Sequence, residues 1–148
     1  MRIFLVALTF IMFATSLTSF RTLGARASVK MSQRAITITS GVEFDTIARE
    51  WRLKWSTDNE KKSLADVQQA LNKVGGSLKK VEGVKGIQRI VCGGCQDYKV
   101  IVSLPAEKWG AWEASKFAPE AEFLSAVKAI PGVSQVETQT YTIMPVEL

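Results

Sequence analysis

Cys92 and Cys95 are the two cysteines of this chain, and they stand as C-x-x-C around Gly93-Gly94 in the stretch VCGGCQDYKV. Two thiols at that spacing can bridge, exchange with other thiols, or share a metal. Gly-Gly between two strand-like runs is a signal for a two-residue hairpin loop. Such a loop would hold the flanking Cα atoms about 5–6 Å apart, within disulfide range. Three readings therefore stand side by side: a plain turn, a redox-responsive pair, and half of a metal site. A bridge would close a small ring and would be reducible rather than a structural staple. Thioredoxin-type chemistry is disfavoured, because no helix follows Cys95 to lower its thiol pKa. Zinc requires about four nitrogen or sulfur ligands. The chain offers two, so a metal would need two hairpins to meet in a symmetric dimer.

There is no histidine. Its absence removes the commonest general base and metal ligand, and with them any Ser–His or Cys–His nucleophile. What remains for catalysis is carboxylate, lysine, tyrosine, thiolate or a bound cofactor. No motif assigns a cofactor or a metal. The pocket candidates are aromatic: Trp51, Tyr98, Trp109 and Trp112. Each is equally readable as core packing, and Tyr98 and Tyr141 carry the hydroxyls that a pocket could use.

The elements that would position these groups follow from periodicity. REWRLKW (49–55) alternates, with Trp51, Leu53 and Trp55 on one side and Glu50, Arg52 and Lys54 on the other, as a half-buried strand does. Residues 42–48 either extend it or form a separate piece. Thr57-Asp58-Asn59-Glu60 has the form of a capping box. The helix behind it carries Leu64, Val67, Leu71, Val74, Leu78 and Val81 on one seam. Gly75-Gly76 predicts either a break there or a close neighbour, and Gly83 ends the helix. Ile87–Cys92 and Tyr98–Leu104 are strands, Pro105 opens a short helical stretch holding Trp109 and Trp112, and Pro119 opens a second helix. Val136–Met144 is the last strand. The order is β-α-β-β-α-β, and LKKVEGVKGIQ and VKAIPGVSQVE echo each other. Together these predict an α+β, ferredoxin-like domain with a four-stranded antiparallel sheet and two helices on one face.

Charge is unevenly spread. Residues 1–42 have no Asp or Glu and carry Arg2, Arg21, Arg26, Lys30 and Arg34. Removing these five from the 19 basic residues leaves 14, equal to the 14 acidic ones, so the body is neutral and no basic field remains for nucleic acid. IFLVALTFIMFA (3–14) is too short for a membrane span and reads as a signal-peptide core. The acid-free, Arg/Ser/Thr-rich stretch behind it reads as a transit peptide. Residues 1–35 are therefore expected to be a targeting segment for a plastid, with the mature domain at 43–148 in the stroma. Its composition resembles the two-part presequence of algae with secondary red plastids. Simple secretion and a retained anchor are the alternatives.

The strand AREWRLKW, the long helix after it, VEGVKGIQ entering the second strand, and KFAPEAEFLSAVKAIPGV before the last resemble the dimeric α/β-barrel superfamily from about 48 to 145. That resemblance implies two sheets closing face to face in a homodimer, with a pocket between sheet and helices. It also implies a wide range of roles, among them cofactor-free oxygenases, polyketide cyclases, haem-degrading enzymes and proteins of no known activity. Cyclases and haem-degrading members generally use a His, which is absent here. For the dimer face, Val133, Val136, Ile101 and Ile143 are the available apolar residues.

Three functions compete. One is a non-catalytic binding or assembly module with a protein partner in the plastid, which the sequence favours because no constellation demands catalysis. The second is a cofactor-free oxygenase or cyclase acting on an aromatic or polyketide-like molecule, with the four aromatic residues around its pocket. The third is a thiol-redox sensor through Cys92 and Cys95.

Overall fold

The computed structural model describes residues 34–146, so the targeting segment expected at 1–35 lies almost wholly outside the described residues. The elements run β1 (Ile36–Thr39), β2 (Val42–Phe44), β3 (Thr46–Lys54), α1 (Asp58–Leu78), β4 (Gly86–Val91), β5 (Asp97–Pro105), α2 (Ala106–Ala114), α3 (Glu120–Lys128) and β6 (Ser134–Ile143). β1 and β2 form a small antiparallel ribbon ahead of the main sheet. The ribbon takes up part of 42–48; β3 then begins at Thr46, earlier than the alternation of 49–55 alone marks.

The main sheet has the order β4-β5-β3-β6, with antiparallel neighbours throughout. This is the ferredoxin-like arrangement that the element order predicts. β3 is central, and Trp51 stands opposite Val100 on one side and Thr138 on the other. Because side chains alternate, Trp51 and Leu53 share the helix-facing side with Tyr98, Val100, Val102 and Leu104 of β5. Val67, Ala70, Val74 and Leu78 of α1 and Phe123 and Val127 of α3 close over them. Each fully buried side chain of this kind contributes roughly 1.5–3 kcal/mol relative to exposure. Trp51 stacks on Phe123 with ring centroids 5.0 Å apart.

The entry to α1 differs from the capping box. Thr57 makes no side-chain cap, and Asn59, Glu60 and Lys61 have φ of 48°, 56° and 64°. The buried Ser63 does the work instead: its hydroxyl accepts the Ser56 N–H at 2.9 Å and donates to the Ser56 carbonyl at 3.2 Å. That reciprocal pair fixes the exit from β3 and leaves the first turn left-handed. Nor does Gly75-Gly76 break the helix. A Cβ at either glycine would meet nothing within 4 Å, so neither a break nor a close neighbour explains the pair.

The hairpin between β4 and β5 is also longer than two residues. Strand pairing ends at Val91 opposite Tyr98, the Cys92 N–H reaches the Asp97 carbonyl at 2.9 Å, and residues 92–96 form the loop. Gln96, with φ 56°, makes the bend that a two-residue loop would have assigned to the glycines.

On the sheet face opposite the helices, Ile101 and Ile143 are present as expected, but Val133 and Val136 are not. Both valines pack against the core: Val136 alternates onto the helix-facing side with Thr138, and Val133 precedes β6, ahead of the register shift between Arg52 and Lys54. Glu50, expected on the solvent side with Arg52 and Lys54, is 5% exposed. The open face is thus more polar than the sequence suggests. Among the described residues no helix is long and apolar enough to cross a membrane.

Candidate functional site

A groove of about 500 Å³ lies between α1 and the β4 edge of the sheet, lined by Glu60, Lys61, Leu64, Ala65, Gln68, Arg89, Val91 and Tyr98. The sequence makes it in three ways. Ile87, Arg89 and Val91 alternate onto the helix side of β4, and past the end of the core only Ile87 packs inward. Tyr98 pairs with Val91 and forms the floor. The left-handed turn at Asn59–Lys61 swings Glu60 and Lys61 to the rim. Left-handed backbone costs non-glycine residues roughly 1–2 kcal/mol each and gathers at functional sites.

One acceptor organises the groove. Gln68 Oε1 receives the Tyr98 hydroxyl at 3.0 Å and Arg89 Nη1 at 2.7 Å, while Gln68 Nε2 donates to Asn72 Oδ1 at 2.8 Å. The amide is held from both ends, and it holds the guanidinium over the opening. Burial pushes the Tyr98 phenol up to about 12, against the opposing charge of Arg89. Tyr98 is therefore a neutral donor at physiological pH, not a base. The walls of Leu64, Ala65 and Val91 are apolar, so the groove combines a flat hydrocarbon surface with a cation, a rim carboxylate and a rim ammonium. Ligand sites for small organic molecules have this composition.

The other pocket candidates fall elsewhere. Trp51 is 1% exposed and donates Nε1–H to Glu120 at 2.7 Å. Arg49 forks onto the same carboxylate at 2.7 and 2.9 Å, reaches Thr138 and Thr140, and lies 4.4 Å over the Phe117 ring. That network ties α3 to the sheet and leaves Trp51 no face for a ligand. Trp112 packs edge-on against both Trp109 and Phe117, and Trp109 is tilted against Phe117. Trp112 also borders a shallow groove beside the end of α1, but its indole N–H is already given to the Ala118 carbonyl at 2.8 Å. Of the four aromatic candidates, Tyr98 alone reaches the α1–β4 groove.

Gln68 and Arg89 were missed by the sequence reading. The signal for Arg89 was present: it is the charged member of an otherwise apolar alternating triplet. Gln68 follows Val67 on α1 and has no such signature.

Cys92 and Cys95 are joined in a disulfide with Cα atoms 5.6 Å apart, which matches the bridging distance expected of them. Their loop adjoins the groove through Val91 and Tyr98. On the open face, Glu50 Oε2 accepts the Tyr141 hydroxyl at 3.1 Å, whereas Oε1 has Lys99 Nζ at 3.5 Å and no hydrogen bond. A depression of about 370 Å³ beside it has walls of Arg52, Lys54, Asp97, Lys99 and Glu137; Arg52 pairs with Glu137, Lys54 with Asp97 and Lys99 with Glu50, which leaves little for a ligand. Among the described residues no group of three or more His, Cys, Asp or Glu is placed to hold a metal ion.

No protein-family model matches this sequence, and no curated protein is a significant match. Solved structures do match. A provisionally assigned antibiotic biosynthesis monooxygenase from Deinococcus radiodurans superposes with a TM-score of 0.52 at 12% identity, covering 69% of this chain and 96% of its own. The cofactor-independent oxygenase SnoaB from Streptomyces nogalater gives 0.48 at 12% identity, over 69% and 96% of the two chains. The ActVA-Orf6 monooxygenase of Streptomyces coelicolor, solved with nanaomycin D, gives 0.49 at 16%, over 71% and 92%. The Deinococcus protein shares the fold, which is the ferredoxin-like α/β fold of the antibiotic biosynthesis monooxygenase structures.

This likeness corrects the preference for a non-catalytic module. That preference rested on the lack of any constellation that demands catalysis, the missing histidine included. The Deinococcus protein of the same fold is described as a provisionally assigned monooxygenase, which favours the enzymatic alternative over the binding module.

Proposed function

We propose that this protein is a cofactor-free oxygenase that takes a planar, phenolic aromatic or polyketide-like molecule into the groove between α1 and β4. The observation that carries the reading is the Gln68 carbonyl oxygen shared by the Tyr98 hydroxyl and Arg89, which fixes a guanidinium beside an apolar slot. A phenol that loses its proton becomes electron-rich enough to reduce dioxygen directly, so the substrate supplies the electrons. Glu60 at the rim would accept the proton. Arg89 and Lys61 would stabilise the anion, in a setting where water is partly displaced and charges act more strongly. For a methylene between two aromatic rings, the carbon loses two hydrogens and becomes C=O with one oxygen atom. The second oxygen leaves with the two hydrogens as water.

The proposed working form is a homodimer through the open sheet face, supported by the exposed Ile143 and by mixed charges that can pair across a twofold. The proposed location is the plastid stroma after removal of the targeting segment, supported by the acid-free composition of residues 1–42.

The test is oxygen uptake by the purified chain with anthrone as probe. The expectation is enzyme-dependent uptake with one dioxygen per quinone carbonyl formed. Arg89→Gln should lower kcat/KM by roughly 10²-fold, the size of a lost anion-stabilising donor. No uptake above the protein-free rate, with no binding of anthrone at its solubility limit, would reject the reading.

A further inference from the structure

The groove leaves the disulfide unexplained, and its surroundings are asymmetric. Cys95 is exposed and Cys92 half-buried. The Cys95 backbone N–H points at the Cys92 sulfur, 3.2 Å away. The Cys95 sulfur instead lies 3.2 Å from an Asp97 carboxylate oxygen. Lys54 binds that carboxylate at 2.7 Å and the Cys95 carbonyl at 2.7 Å.

Thiol–disulfide exchange depends on which sulfur can be reached and on which leaves more easily. A sulfur that receives an N–H is the better leaving thiolate, because the hydrogen bond favours its charged form. A sulfur beside a carboxylate is the poorer one. Access and leaving-group stability therefore agree. Lys54 offsets the Asp97 charge that would otherwise repel an incoming thiolate.

We infer that Cys92–Cys95 is a thiol–disulfide exchange site for a dithiol reductant, attacked at Cys95 Sγ with Cys92 Sγ as the leaving thiolate. The donor thiolate forms a bond to Cys95 Sγ as the Cys92–Cys95 bond breaks, and Cys92 takes a proton from water. The donor's second thiolate then attacks its own sulfur in the mixed disulfide and releases Cys95. The protein gains two electrons and two protons, and the donor dithiol becomes a disulfide. The same steps in reverse reoxidise the pair. This site does not depend on the oxygenase reading.

The experiment uses the oxidised full chain and glutathione as the probe thiol. The mixture is quenched with acid, free thiols are alkylated, and peptides are mapped by mass spectrometry. Glutathione on Cys95 with alkylated Cys92 should exceed the reverse adduct by at least about tenfold, since leaving-group and access effects act together. In concentrated urea the preference should vanish, because the Asp97 and backbone contacts are lost. Equal adducts in the folded protein, a preference for Cys92, a preference that survives in urea, or a bridge inert to glutathione would each overturn the inference.

Discussion

Trp51 gives its indole N–H to Glu120, 69 residues further along the chain, at 2.7 Å. The carboxylate also receives both ends of the Arg49 fork, so three donors from the central strand meet the first residue of α3. Glu120→Ala should be costly for this reason. It would strand Arg49, whose side chain is 15% exposed, without its counter-charge. The expected loss is about 3 kcal/mol, near the low end for breaking a buried pair. Urea unfolding reads it directly, and a change below about 1 kcal/mol would show the network to be dispensable.

The chain has two tyrosines, and both phenols are raised to about 12, Tyr98 by burial and Tyr141 by burial and by Glu50. A phenol raised above its unfolded value of about 10 binds its proton more tightly in the folded state. The stability it contributes is complete below about pH 10 and is lost as pH rises through about 12. Ultraviolet titration of the folded protein should show no tyrosinate at pH 10, while the urea-unfolded chain should be about half ionised there. A folded-state transition near 10 would contradict the packing of both rings.

Gly132 has φ +84°, and a Cβ there would stand 3.1 Å from Ser56 Cβ and 3.4 Å from Ser63 Cβ. The loop before β6 thus passes close over the serine pair that starts α1. Gly132→Ala combines an unfavourable backbone with a tight contact and should cost about 1–2 kcal/mol. Gly75→Ala, with open space around it, should instead stabilise α1 by up to about 1 kcal/mol. Thermal melts of the two variants should move in opposite directions.

The proposed dimer face carries Arg52, Lys99 and Lys54 among Glu50, Asp97 and Glu137. Arg52→Glu would leave that face with an excess of carboxylates facing their own copies. Like-charge juxtaposition costs several kcal/mol at an interface. Sedimentation should show the wild type as a dimer and the variant associating at least about 100-fold more weakly. A monomeric wild type at tens of micromolar, where standard-sized interfaces associate, would remove the proposal.

The fold was legible because its signals are local. The alternation of Trp51, Leu53 and Trp55, the seam on α1 and the proline and glycine stops each report on a few neighbouring residues. The site was less legible because its residues meet through tertiary register. Gln68 and Arg89 touch only once α1 lies over the β4 edge, and nothing near either residue encodes that crossing. Trp51, Trp109 and Trp112 drew attention by size, yet size serves packing first, and the structure spends all three on it. Glu50 looked solvated because alternation gives only the face. It does not show that Arg52, Lys99 and Tyr141 would cover the carboxylate. The capping-box pattern failed for a similar reason: Ser63, one helical turn further on, captures the backbone of Ser56 first.

β3 is one of the two inner strands, beside β5, but it is the first of the four main strands to be made. A ribosome releases Arg49 long before its partners, 71 residues ahead of Glu120 and 91 ahead of Thr140. Until β5 and β6 arrive, this strand presents Trp51 and Leu53 with both edges open, the form in which nascent chains are most prone to self-associate. The domain therefore has no early nucleus made of its own first half. Its assembly depends on long-range closure, which is slow and waits for the last strand. A chain ending before Ser134 would leave a whole edge of β3 unpaired. Synthesis must pass β6 before this domain can close.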